Sequence, residues 1–115
     1  MIRGWLLVLV ASSTLGGCAD EGGPRLDAVT PAASARNTMV TLTGQRLCGA
    51  NDDCAHATGS IVLGLSPPQF QANVVASEPT SIRVVIPALA EIGATHLIAT
   101  VDDRSSNALA FEVLP

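Results

Sequence analysis

Between Leu47 and His56 the chain reads LCGANDDCAH, which gathers two cysteines, two adjacent aspartates and a histidine into one short stretch. Several chemistries use such residues. Zinc takes thiolates and imidazoles, so Cys48, Cys54 and His56 are three candidate ligands, but a tetrahedral site needs a fourth and the spacing matches no familiar ligand pattern. Calcium takes hard oxygens, and Asn51, Asp52 and Asp53 supply some. The alternating oxygens and closing glutamate of an EF-hand loop are missing, and Asp102 and Asp103 would have to fold alongside to add to them. A redox pair is normally Cys-x-x-Cys, whereas five residues separate these two cysteines. The remaining use is a disulfide, and whether two thiols oxidise depends on the compartment. Adjacent acids on a turn are most often simply solvated. Elsewhere, Ser66 lies in GLSPP, without the second glycine of a nucleophile elbow. His56 falls on a loop, and His96 falls outward on a strand beside inward Leu97. No catalytic residue, metal site, cofactor motif or small-molecule substrate emerges, and the expectation is a protein that is not an enzyme.

The compartment is written at the other end of the sequence, which opens MIRGWLLVLVASSTLGGCAD. Arg3 gives a short positive start and an apolar run follows from Trp5 to Leu15. That run is far shorter than the ~20 residues a membrane-spanning helix needs. A basic flank, a short apolar run and small residues after it have the layout of an export signal. Leu15, Gly16, Gly17 and Cys18 resemble the lipobox of bacterial lipoproteins, in which cleavage falls just before the cysteine. The resemblance implies a signal peptide over residues 1–17 and a mature chain that starts at Cys18, whose thiol carries a diacylglycerol. Each buried methylene of an acyl chain contributes about 0.8 kcal/mol, and two or more chains hold a protein stably on a bilayer. The partner implied is a membrane, reached through the lipid on Cys18. The same resemblance carries a sorting expectation: Ala19 rather than aspartate follows the cysteine, which in such lipoproteins favours the outer membrane of a two-membrane envelope. Residues 18–23 then read as an acidic, glycine-rich tether. Six flexible residues span roughly 13 Å on average and about 20 Å fully stretched, so the folded part stays close to the lipid.

Export also bears on LCGANDDCAH. An oxidising space turns paired thiols into disulfides. With Cys18 consumed by lipid, Cys48 and Cys54 are left to pair with each other, and Gly49 with an Asn51-Asp52 turn allows the close Cα approach that a bridge requires. Closing a loop of about seven residues contributes roughly 2.4 kcal/mol in the chain-entropy account.

Composition narrows the function classes. All six basic residues are arginine, against ten acids, for a net charge of −4. No basic cluster exists to neutralise phosphates, which excludes nucleic acid as a partner. There is no tyrosine, and the one tryptophan is Trp5, so Phe70 and Phe111 are the aromatic residues of the expected mature chain, residues 18–115. Stacking surfaces for sugars and aromatic hot spots for proteins are correspondingly scarce.

The elements that must position the loop are strands. Short apolar runs alternate with turn residues, the pattern of an all-β sandwich. Arg25 to Thr30 forms a first strand ended by Pro31. TMVTLTG puts Val40 and Leu42 on one face and Thr41 and Thr43 on the other until Gly44 breaks it. SIVLGL and FQANVVA are a third and a fourth strand. TSIRVVIP turns Ile82, Val84 and Ile86 inward and Arg83 outward, and THLIATV and ALAFEVL follow across the turn DDRSSN. PALAEIGA has room for about one helical turn between Pro87 and Gly93. The expectation is about seven strands in two antiparallel sheets over residues 24–115.

The order of the pieces resembles the IPT/TIG family of immunoglobulin-like, E-set domains. PRLDAVTPAASARNTMVTLTGQRL, then TSIRVVIPAL and GATHLIATVDDRSSNALAFEVLP, carry the likeness across nearly all of residues 24–115. The chain departs from that pattern after Gly44, where Leu47 and a long insert replace a tight turn and an aromatic, and at GLSPP. The resemblance implies a fold and a protein-interaction or spacer role, without catalytic residues. The sequence therefore leads to a lipid-anchored cell-envelope protein acting as a binding or structural module. Asn51, Asp52 and Asp53 on the long loop are the candidate surface for an envelope or surface protein. The alternatives are an accessory or spacer subunit of a polysaccharide-acting enzyme system and a calcium-dependent adhesin.

Overall fold

The computed structural model describes residues 22–115, and these fold as ten β-strands in two stacked sheets with no helix. Cys18, the expected signal peptide and most of the expected tether lie outside the described residues. One sheet holds β1 (Arg25–Thr30), β3 (Met39–Gln45), β7 (Ser81–Val85) and β6 (Asn73–Glu78), in the order β1-β3-β7-β6. The second runs β2 (Ala33–Ala35), β10 (Leu109–Leu114), β8 (Gly93–Val101), β4 (Gly59–Leu63) and β5 (Phe70–Gln71), with β9 (Arg104–Ser105) hairpinned onto β8.

Period-two patterning decides which way each strand faces. In β3, Val40, Leu42 and Gly44 are buried while Met39 and Thr43 are exposed. In β7 Ile82 and Val84 point inward and Arg83 outward, and Ile86 continues inward beyond the strand. From the facing sheet Ile61, Leu63, Leu97, Ala99, Phe111 and Val113 complete one core. His96 is half-buried next to fully buried Leu97.

Three local expectations are corrected. Gly44 does not end its strand, which continues to Gln45; it is there because β1 crosses so close that a methyl on Gly44 would land on the Arg25 carbonyl oxygen. FQANVVA is not one strand. Ala72, 3% exposed, donates its N–H to the Ile61 carbonyl (2.8 Å), and the chain passes there from β5 in one sheet to β6 in the other. The first strand likewise crosses at the Thr30–Pro31 cis bond into β2, an unexpected strand. Because β2 pairs parallel with β10, the second sheet is mixed rather than antiparallel. The segment after Pro87 makes a single turn, the length expected of it, closed by the Ala90 N–H on the Pro87 carbonyl at 3.2 Å.

A short polar link crosses between the sheets. Ser106, 4% exposed, donates its N–H to the Ala99 carbonyl (2.7 Å), and its hydroxyl accepts the Ala99 N–H (2.8 Å). The next residue turns to the other sheet. Asn107 Oδ1 accepts the Leu26 N–H and its Nδ2 donates to the Leu26 carbonyl, both at 2.9 Å. One dipeptide thus holds β8 with its backbone and hydroxyl and β1 with its amide. The amide stands where a neighbouring strand would pair with the exposed edge of β1.

Candidate functional site

The strand directions set the poles of the sandwich. The connection from β3 to β4, the turn from β8 to β9 and the entry into β1 all fall at one end, as the pairs Arg25↔Gln45 and Gly59↔Val101 require. At that end Cys48 and Cys54 form a disulfide with a Cα–Cα distance of 4.6 Å. Cys48 is buried at 3% exposure and Leu47 beside it joins the core, so the loop is tied inward at its root. The Asp52 N–H closes a turn on the Gly49 carbonyl (3.2 Å), and Asp52 sits at φ 55°, a left-handed conformation that aspartate tolerates. Asn51, Asp52 and Asp53 are all exposed at the tip.

Asp102 and Asp103 do fold alongside this loop. Both have positive φ (50° and 67°), as a two-residue hairpin between β8 and β9 demands. The Asp102 carboxylate is engaged structurally. Its Oδ1 accepts the Thr58 N–H at 3.0 Å and the Thr58 hydroxyl at 3.3 Å, while the Asp102 N–H donates to the Thr58 carbonyl at 2.8 Å. Its Oδ2 lies so close to Gly49 that a side chain there would meet it at 2.6 Å. Glycine at position 49, with φ 88°, is therefore required twice over, by the backbone turn and by the carboxylate.

Between loop and hairpin lies an open cleft of about 370 Å³, lined among others by Gly22, Gly23, Asn51, Asp53, His56, Asp102 and Arg104. Asp53 Oδ2 meets His56 Nδ1 at 2.8 Å, but both side chains are more than half exposed, and among the described residues no serine, threonine or free thiol lines the cleft. Among the described residues no group of three or more His, Cys, Asp or Glu side chains is placed to hold a metal ion. The acids that calcium would need are dispersed, and Asp102 is already held by Thr58. The other pole carries a cleft of about 280 Å³ formed by residues 63–70 and 90–95, where Ser66 is exposed among Leu65, Pro67 and Pro68. Leu65, Leu89 and Ile92 are exposed at 60%, 80% and 50%, a group that sequence reading missed because each sits alone in a loop.

The entry of the chain is part of the same site. Gly23 and Pro24 are buried, and Arg46 Nε donates to the Gly23 carbonyl at 2.8 Å. Gly23, the last residue of the expected tether, is thus packed against the fold. Gly22 lies against the Arg104 guanidinium.

The chain matches no protein-family profile and no curated protein. Seven chains among solved structures are similar in fold. One of them is a Bacteroides thetaiotaomicron protein described as a candidate phosphatase, at 14% identity and a TM-score of 0.47. The likeness covers 78% of this chain, which spans only 18% of that one.

Proposed function

We propose that this protein is a lipid-anchored, non-enzymatic module of a bacterial cell envelope, held through Cys18 and folded as an immunoglobulin-like domain of IPT/TIG type. The observation that carries the reading is the succession Leu15-Gly16-Gly17-Cys18 only a few residues ahead of Gly22, where the described fold begins. The all-β arrangement in two sheets is compatible with such a domain. The disulfide fits an oxidising compartment. Outer-membrane placement follows from Ala19 after the cysteine, and the partner is an envelope or surface protein reached through the loops. A spacer role beside a polysaccharide-acting enzyme would use the same anchor and fold.

Detergent phase separation of the protein from a lipoprotein-processing bacterium tests the reading. The wild type is expected in the detergent phase, with a diacylglyceryl mass on its N-terminal peptide, and Cys18→Ala in the aqueous phase. An aqueous wild type with an unmodified cysteine would sink it.

A further inference from the structure

The chain enters the fold at the pole that carries the disulfide. We infer that the disulfide pole faces the lipid headgroup layer that holds Cys18, so that the loop carrying Asn51, Asp52 and Asp53 is apposed to the membrane. The inference rests on the lipid-anchor reading and adds an orientation to it.

The geometry has three parts. First, the exit is fixed: Gly23 and Pro24 are buried, Arg46 holds the Gly23 carbonyl at 2.8 Å, and Gly22 sits against Arg104. The chain thus leaves the fold at the wall of the cleft formed by the disulfide loop and the Asp102–Asp103 hairpin. Second, the leash is short. Cys18 and Gly22 are four residues apart, at most about 14 Å fully stretched. Third, the domain is long by comparison. The nine residues of β8 run from the opposite pole to this one, about 27 Å at strand rise. Presenting the opposite pole to the same leaflet would require a tether about twice as long as the one present.

Partners are sorted accordingly. The acidic loop faces the lipid surface and whatever is embedded in it, and the pole with Leu65, Leu89 and Ile92 is the one turned to the aqueous compartment.

The test uses the near absence of native fluorescence: there is no tyrosine, and the single tryptophan, Trp5, lies in the expected signal peptide. Single-tryptophan reporters are placed in the full lipidated chain by Ala50→Trp, at the disulfide pole, and Leu89→Trp, at the other; both sites are exposed. Glu78→Trp, at the exposed end of β6 next to the turn whose Pro79 carbonyl accepts the Leu47 N–H, is the alternative if Ala50→Trp does not fold. The proteins are reconstituted in phosphatidylethanolamine–phosphatidylcholine vesicles carrying a nitroxide on a fraction of the headgroups. Severalfold stronger quenching of the Ala50→Trp or Glu78→Trp reporter than of the Leu89→Trp reporter is expected. Equal or reversed quenching in protein that floats with the vesicles overturns the orientation. Failure of the anchor reading looks different: the protein stays out of the floating fraction, with an unmodified N-terminal peptide.

Discussion

Replacing Asn107 with alanine removes two hydrogen bonds at one stroke and leaves the Leu26 N–H and carbonyl without their partner. Leu26 is 2% exposed, so water has little access to either group. A buried donor or acceptor left unpaired costs about 1–3 kcal/mol, which puts the pair at about 2–6 kcal/mol. In a domain of this size each kcal/mol lowers the melting temperature by about 4–8 °C, so Asn107→Ala is expected to melt at least about 8 °C below wild type. Circular dichroism melts and urea titration measure the loss, with the urea slope unchanged because the same surface is exposed on unfolding. Asn107→Asp adds a sign to the test. Its carboxylate still accepts the Leu26 N–H but sets a second oxygen against the Leu26 carbonyl, whereas the protonated acid donates there. Folding then favours the protonated form and raises that group's folded-state pKa above its unfolded value. The stabilisation is fully present below the unfolded pKa and is lost as pH rises through the raised one. This variant should approach wild type in acid and fall behind at neutral pH. A melting temperature for Asn107→Ala equal to wild type would refute the account of Asn107 as a cross-sheet link.

Other outcomes follow from the same geometry. Removing the disulfide with Cys48→Ala and Cys54→Ala together is expected to cost about 2.4 kcal/mol by loop closure, read as a lower urea midpoint that reductant reproduces in the wild type. Gly44→Ala forces a methyl onto the Arg25 carbonyl and should cost about 3 kcal/mol, at the upper end of overpacking; hydrogen exchange should show β1 opening first. Calcium should leave the melting temperature unchanged with or without chelator, since among the described residues no three acidic or imidazole side chains gather to hold a metal ion; a calcium-dependent rise reversed by chelator would restore the adhesin reading. Asp102→Ala removes the acceptor of both Thr58 bonds and should expose the backbone amide of Thr58 to exchange while leaving the core strands protected.

What the sequence makes legible follows the physics of each signal. Val40 with Leu42, and Ile82 with Val84 and Ile86, alternate strictly, so their strands and faces can be read directly. Ala33-Ser34-Ala35 has no such contrast, and its parallel partner lies far along the chain in β10. FQANVVA reads as continuous because nothing local distinguishes Ala72, whose burial between the sheets comes from tertiary packing. At the site, the number and spacing of Cys48 and Cys54 carry their own message. The bond from Thr58 to Asp102 spans 44 residues and that from Leu26 to Asn107 spans 81, so neither leaves a trace in a local pattern.

The polar link at Ser106 and Asn107 bears on how this domain meets force. A pull through Gly22 runs along β1, whose five partners on β3 are then loaded in shear and must yield together rather than unzip in turn. Because Asn107 grips the opposite edge of that strand, tension is shared with the second sheet through Ala99 and does not peel a lone border strand away. A body tugged at one end is thereby made to resist as a whole.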